Sequence, residues 1–174
     1  MQHQKIILHL FGYSCTGKSA VTEILKEKTV GMYILDSDRQ KRQISGYQRT
    51  VYGSYMKEVL VGFFEVLCKA GSPILLLIPP FKDESEYEQY ELIAKKHGYT
   101  FGSFELTASR EVLLKRYRDR LDSLDKKGIK NSIRTEEEFL NSLEIPYFAP
   151  AGSVTIDTSL GDVESIVDQI LTRL

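Results

Sequence analysis

The chain is predicted to fold as an α/β protein whose parallel sheet is covered by helices on both faces. Short apolar runs alternate with segments whose apolar residues recur at i, i+3 and i+4. The runs are also too uniformly apolar for strands with one wet face, as Lys5 to Phe11 (KIILHLF) and Pro73 to Ile78 (PILLLI) illustrate. At 174 residues, 42% hydrophobic and 27% charged, the chain suits one domain over residues 1–174 with a sizeable core. No repeat, linker or low-complexity tract divides it.

The first apolar run ends at Gly12. Ser19 to Lys28 follows, with Val21, Ile24 and Leu25 at helical spacing. A second strand, Met32 to Leu35, ends in Asp36-Ser37-Asp38, and the chain from there to Tyr55 is basic and tyrosine-rich. From Ser54 to Ala70, residues Met56, Val59, Leu60, Phe63, Phe64 and Leu67 form a wide helical face that Gly71 stops. The third strand is cut by Pro79-Pro80; Asp83 and Glu86 then have capping-box spacing for a helix that closes at Gly98. Tyr99 to Leu106 reads as a fourth strand, and Val112, Leu113 and Tyr117 mark a helix to about Leu121. Residues 122–134 are charged, aperiodic and contain Gly128, so a mobile loop is expected. Thr135 and Glu138 repeat the capping-box spacing before Phe139 to Leu143, Val154 to Ile156 is a fifth strand, and a helix from Val163 closes the chain.

Composition excludes several classes. A net charge of −1 and a pI near 6.3 supply no global attraction to nucleic acid or anionic membrane. Cys15 and Cys68 make no disulfide framework, and His3, His9 and His97 have no ligand spacing. The N-terminus is a poor signal peptide and no apolar stretch reaches membrane-span length, so the cytoplasm is expected.

Residues 12–19 read GYSCTGKS and match G-x-x-x-x-G-K-[ST] at every fixed position, at a strand-to-helix turn. Gly12, Tyr13, Ser14, Cys15, Thr16, Gly17, Lys18, Ser19 and Ala20 are therefore the nucleotide-binding candidates. Glycines let the backbone amides curl inward onto phosphate oxygens, and the following helix N-terminus adds partial positive charge. Lys18 can reach the terminal phosphates and the Ser19 hydroxyl can take Mg²⁺. No N-K-x-D guanine signature is present, and D-x-x-G occurs only at Asp125 to Gly128, inside the charged loop. A motor-type ATPase should carry an acidic residue after an apolar strand, yet the PILLLI strand ends in Pro79-Pro80-Phe81-Lys82. The acidic candidates lie at the second strand, Asp36 and Asp38, where open α/β sheets bind ligands; the same triplet would also serve as a helix cap.

This order of phosphate loop, D-x-D after the second strand and an arginine-rich helix before a flexible lid resembles the small P-loop kinases: shikimate, gluconate and adenylylsulfate kinases and polynucleotide 5′-hydroxyl kinases. The closing VTIDTSLGDVESIVDQIL is similar to their last strand and helix. The resemblance implies a P-loop NTPase three-layer α/β/α sandwich with a five-stranded parallel sheet, a lid at about 122–134, and ATP and Mg²⁺ as cofactors. It implies Asp38 as the acceptor-orienting carboxylate and candidate general base, with Asp36 and Ser19 near the metal; the order of the two aspartate roles stays open. Arg116 and Arg120, one turn apart on LLKRYRDRL, become candidates to clamp phosphates, with the bland alternative of surface ion pairs. Asp157 to Ser159 would neighbour the base by the same likeness.

The expected reaction moves the γ-phosphate of Mg-ATP to a hydroxyl of a small, anionic metabolite or nucleotide. Asp38, Arg39, Lys41 and Arg42 are its candidate substrate contacts, because cations beside a catalytic carboxylate suit an acceptor already bearing an anion. Shikimate is disfavoured, since its kinases carry a glycine triplet where this chain has Ile78-Pro79-Pro80-Phe81; Asp38 with Arg42 is similar to dephospho-coenzyme A kinases. Tyr47, Tyr52 and Tyr55 could stack on a polynucleotide end, but the balanced charge disfavours nucleic acid. Two other classes stay open: an ATPase or regulatory module without an acceptor, and a kinase-fold toxin or resistance enzyme acting on a specialised metabolite. No membrane partner is expected, and the protein is expected to act as a monomer or homodimer.

Overall fold

The computed structural model describes residues 5–126 and 135–173. Along the chain run β1 (Ile6–Phe11), α1 (Lys18–Lys28), β2 (Tyr33–Asp36), α2 (Ser37–Lys41), α3 (Arg49–Ala70) and β3 (Ile74–Leu77). They are followed by α4 (Glu84–Lys96), β4 (Thr100–Thr107), α5 (Arg110–Lys126), α6 (Glu136–Leu143), β5 (Val154–Asp157) and α7 (Val163–Leu171). The five strands form one parallel sheet in the order β2-β3-β1-β4-β5.

All six residues of β1 are buried, as a central strand covered on both faces must be. Its side chains alternate between two cores. Ile7 packs with Met56, Leu60 and Phe64 of α3 and Tyr90 and Ala94 of α4. Leu8 and Leu10 pack with Val21 and Leu25 of α1 and Ile166, Val167 and Ile170 of α7. The result is the three-layer sandwich expected, with β1 at its centre and the carboxyl end of β1 opening into the phosphate loop. His9, on the α3/α4 side, is wholly buried between Phe11 and Phe81, and burial pushes its pKa down to about 3. It is a neutral core residue across the physiological range.

A third cluster joins α5 to α6, where the rings of Tyr117 and Phe139 stack at 4.3 Å with Leu113 beside them. The Thr135–Glu138 capping box is present in both directions and starts α6 here. At α4 only half of the expected box forms: Asp83 accepts from the Glu86 amide, while the Glu86 carboxylate accepts from the Lys82 amide instead of Asp83.

Two boundaries differ from the sequence expectation. The helix expected from Ser54 begins at Arg49, and α2 forms separately under an Asp36 cap. The helix expected to stop near Leu121 continues to Lys126, so residues 122–126 are helix where a loop was expected. No glycine or proline interrupts that stretch, and Leu121 extends the packing onto the α5/α6 cluster. The rest of the expected lid, 127–134, including Gly128, lies outside the described residues. No helix among the described residues is long and apolar enough to cross a membrane.

Candidate functional site

The loop after β1 takes its shape from three residues with positive φ: Gly12 at 130°, Cys15 at 66° and Gly17 at 98°. Gly12 also sits against β4, where a Cβ would lie 2.2 Å from the Leu106 carbonyl oxygen, so only glycine fits. Gly17 is the N-cap of α1; that cap makes no side-chain hydrogen bond, and the first turn carries no acidic residue. The amides at this helix start are thus left to an anion.

Lys18 folds back over the loop, its Nζ donating to the carbonyls of Gly12 at 2.7 Å and Tyr13 at 2.6 Å. Burial pushes its ammonium down to about 8, helped by Arg120, while the Cys15 thiol and the Asp38 carboxylate oppose the shift. Asp38 therefore acts electrostatically on the loop lysine from the first turn of α2.

Asp36 is the N-cap of α2: its Oδ1 accepts from the amides of Asp38 at 2.8 Å and Arg39 at 3.3 Å. The capping alternative and the site location hold together, because Asp36 and Asp38 both line the same cavity. The Asp38 side chain is 72% exposed and pairs with Lys41 at 2.8 Å.

That cavity, about 540 Å³, opens at the carboxyl edge of the sheet. Among the sequence candidates it collects Gly12, Tyr13, Ser14, Lys18, Ser19, Asp36 and Asp38. Arg39, Lys41 and Arg42 are not among its lining residues. Arg39 lies 3.9 Å from Asp36, Lys41 is held by Asp38, and Arg42 is exposed at the C-cap of α2. Tyr47 and Tyr52 stack on each other and do not line it either. Its opposite wall was not legible in the sequence: Ile78 to Lys82 after β3, then Ser142 in the last turn of α6 and Ile145 to Tyr147 beyond it. The only available signal was the Pro79-Pro80 break at the end of an apolar strand.

Cys15, Thr16, Gly17 and Ala20 lie outside the cavity lining, as do Arg116 and Arg120. The two arginines reach the far side of the loop. Arg116 donates to the Cys15 carbonyl at 3.3 Å, to Thr158 Oγ1 at 2.8 Å and to the Thr158 carbonyl at 2.9 Å. Arg120 hydrogen-bonds the Cys15 thiol, although burial still raises that thiol above its ordinary value. Arg118 points away and pairs with Glu136 at 2.8 Å, an exposed pair of little energetic weight. Arg116 therefore ties three elements together: α5, the phosphate loop and the turn after β5. Removing it with Arg116→Ala strands the Thr158 carbonyl and leaves its buried hydroxyl only the bond it donates to the Thr107 carbonyl, with an expected loss of about 2 kcal/mol in urea unfolding; an unchanged midpoint would show that these bonds carry no stability.

Residues 7–139 match the family model described as AAA domain. No curated protein matches the chain in sequence. Among solved structures, it is similar to a tunicamycin resistance protein of Deinococcus radiodurans, at 17% identity and TM-score 0.63, covering 98% of this chain and 95% of that one. It is also similar to the adenylylsulfate (APS) kinase CysC of Mycobacterium tuberculosis, solved with AMPPNP and APS, at 15% identity and TM-score 0.62, covering 98% and 97%. A gluconokinase from Sinorhizobium meliloti aligns at 18% identity and TM-score 0.57, covering 98% and 91%. The phosphate loop, the strand order and these comparisons converge: the chain belongs to the AAA domain family, and its fold is the nucleotide-binding fold of the small P-loop kinases.

Proposed function

We propose that this protein is an ATP-dependent phosphotransferase that moves the γ-phosphate of Mg-ATP to the hydroxyl of a small molecule. The observation that carries the reading is the convergence of Lys18, Ser19, Asp36 and Asp38 on one cavity beside the phosphate loop. Lys18 is placed to leave the Gly12 and Tyr13 carbonyls for phosphate oxygens, and the uncapped start of α1 supplies amides for the same charge.

The donor set also fits Mg²⁺. Ser19 and Asp36 offer oxygen ligands at one wall; the cap bonds hold Asp36 through Oδ1, and Arg39 Nε lies 3.9 Å from its Oδ2. Bound there, the metal supplies neutralisation of charge at the transferring group. Asp38 is the general base in this reading. The acceptor oxygen bonds to the γ-phosphorus as the bond to the β–γ bridging oxygen breaks; the hydroxyl proton passes to Asp38 and ADP leaves. Arg116 and Arg120 sit across the loop as a charged flank for the nucleotide. We assign the activity to one domain acting in the cytoplasm, as a monomer or homodimer.

The pKa of Lys18 sets the pH response. Its folded value, about 8, lies below the unfolded value of 10.5, so the unfolded chain holds the extra proton between them. This lysine's contribution to stability therefore rises with pH across that window. Phosphate binding has the opposite sign, because above about 8 the free protein must take up a proton to restore the ammonium. ATP affinity is expected to fall by up to about tenfold per pH unit there. Calorimetry at pH 7 and pH 9, in buffers of different ionisation enthalpy, reads both affinity and proton uptake; equal affinities with no uptake would contradict the assignment.

The reaction itself is tested by following label from γ-³²P-ATP with Mg²⁺ into a small-molecule extract and a 5′-hydroxyl oligonucleotide. Label in one small acceptor is the expected result. Label in free phosphate alone would turn the reading to hydrolysis or sensing, and label in the oligonucleotide to a polynucleotide kinase.

A further inference from the structure

The acceptor wall of the cavity offers rings and hydrocarbon with few polar contacts. Pro80 and Ile145 line it together with Tyr13 and Tyr147, backed by the core residues Ile78 and Phe81. The tyrosine hydroxyls are turned to the protein: Tyr13 donates to the Ile145 carbonyl at 3.1 Å and Tyr147 to Glu105 at 2.6 Å. Their rings meet edge to face at 4.9 Å, which fixes both at the mouth. The Ser142 hydroxyl is likewise spent on the Phe139 carbonyl at 2.6 Å, and the prolines have no amide N–H to donate. Beyond the catalytic set of Lys18, Ser19, Asp36 and Asp38, the charged side chain on this lining is Lys82, which is exposed.

We propose that the acceptor is an alcohol with a flat, apolar body, of the aryl-alkyl class, carrying at most one anionic group. This rests on the kinase reading above and narrows its substrate. A polyol would turn most of its hydroxyls toward rings and prolines, where they lose water without gaining partners. An acceptor with two or more anionic groups would find its cations elsewhere, since Arg39 and Lys41 are held by Asp36 and Asp38 outside the lining. An aromatic body instead packs against the half-buried rings of Tyr13 or Tyr147 while its hydroxyl reaches the aspartates.

Binding and transfer are measured separately on the whole protein. Saturation-transfer NMR with 3-phenylpropan-1-ol and 2-phenylethanol, in the presence of ADP and Mg²⁺, is run beside gluconate and adenosine 5′-phosphosulfate. Ile145→Asp puts a charge on the wall at a residue 64% exposed, where the fold tolerates it, and Leu92→Asp, at 70% exposure on α4, is the remote control. The aryl alcohols are expected to give signals that fall at least fivefold in Ile145→Asp and are unchanged in Leu92→Asp. Aryl signals insensitive to Ile145→Asp, or a stronger Ile145-dependent signal from gluconate or the phosphosulfate, would overturn the substrate class while leaving the kinase reading intact. Failure of ATP itself to bind the wild type, or to bind more weakly to Lys18→Ala, would overturn the kinase reading whatever the alcohols do.

Discussion

Asp38→Asn is expected to slow phosphoryl transfer by about 10²–10⁴-fold while leaving ATP affinity within a few fold. The amide keeps the shape of the side chain but can neither take the acceptor proton nor hold Lys41 as a carboxylate does at 2.8 Å. Single-turnover kinetics separates the chemical step from binding, and direct titration reads the affinity. The companion Asp36→Asn keeps an oxygen able to cap α2. Its expected signature is a raised Mg²⁺ requirement. If Asp36→Asn gave the large loss of rate and Asp38→Asn a threefold change or less, the roles of the two aspartates would be reversed.

Gly12→Ala is expected to be the most damaging single methyl in the chain. The new Cβ would stand 2.2 Å from the Leu106 carbonyl oxygen, on a backbone with φ at 130°. Neither partner can yield: Phe11 and Leu10 are in parallel register with Glu105 and Phe104, so Leu106 is held by the same ladder that positions Gly12. A loss of about 3 kcal/mol or more is expected from strain and overpacking, or a melting temperature lower by about 6–12 °C. Gly17→Ala separates the two causes, because Gly17 also has positive φ at 98° but no heavy atom within 4 Å of a Cβ. Its expected loss is about 1–2 kcal/mol from strain alone. Differential scanning calorimetry of both variants checks the comparison, and equal melting temperatures would show that the Leu106 contact is relieved by movement.

What the sequence determined by itself is local or periodic. The phosphate loop is legible because eight consecutive residues specify its curl, its cation and the helix that follows. The strands are legible because burial on both faces demands uninterrupted apolar runs, and Thr135 with Glu138 starts α6 because both cap partners lie within one turn. The pairing of Asp36 and Asp38 with Lys18 in one cavity follows from a strand end beside the loop, a placement that parallel α/β topology favours.

Tertiary structure decided which charges remain available and what faces them. Arg39 and Lys41 read as acceptor contacts because the chain there is basic, but α2 places their nearest carboxylates, Asp36 and Asp38, three residues away. Arg116 reads as a phosphate clamp from its helical position, yet folding brings Thr158, 42 residues on, within reach of its guanidinium. The acceptor wall joins Pro80 and Phe81 to Ile145 and Tyr147, segments about 65 residues apart that no spacing rule connects. The Tyr147 ring on that wall is anchored by Glu105, on β4, which accepts from its hydroxyl. Long-range hydrogen bonds of this kind are properties of the assembled sheet, whereas the glycines, lysine and serine of the phosphate loop are all specified within eight consecutive residues.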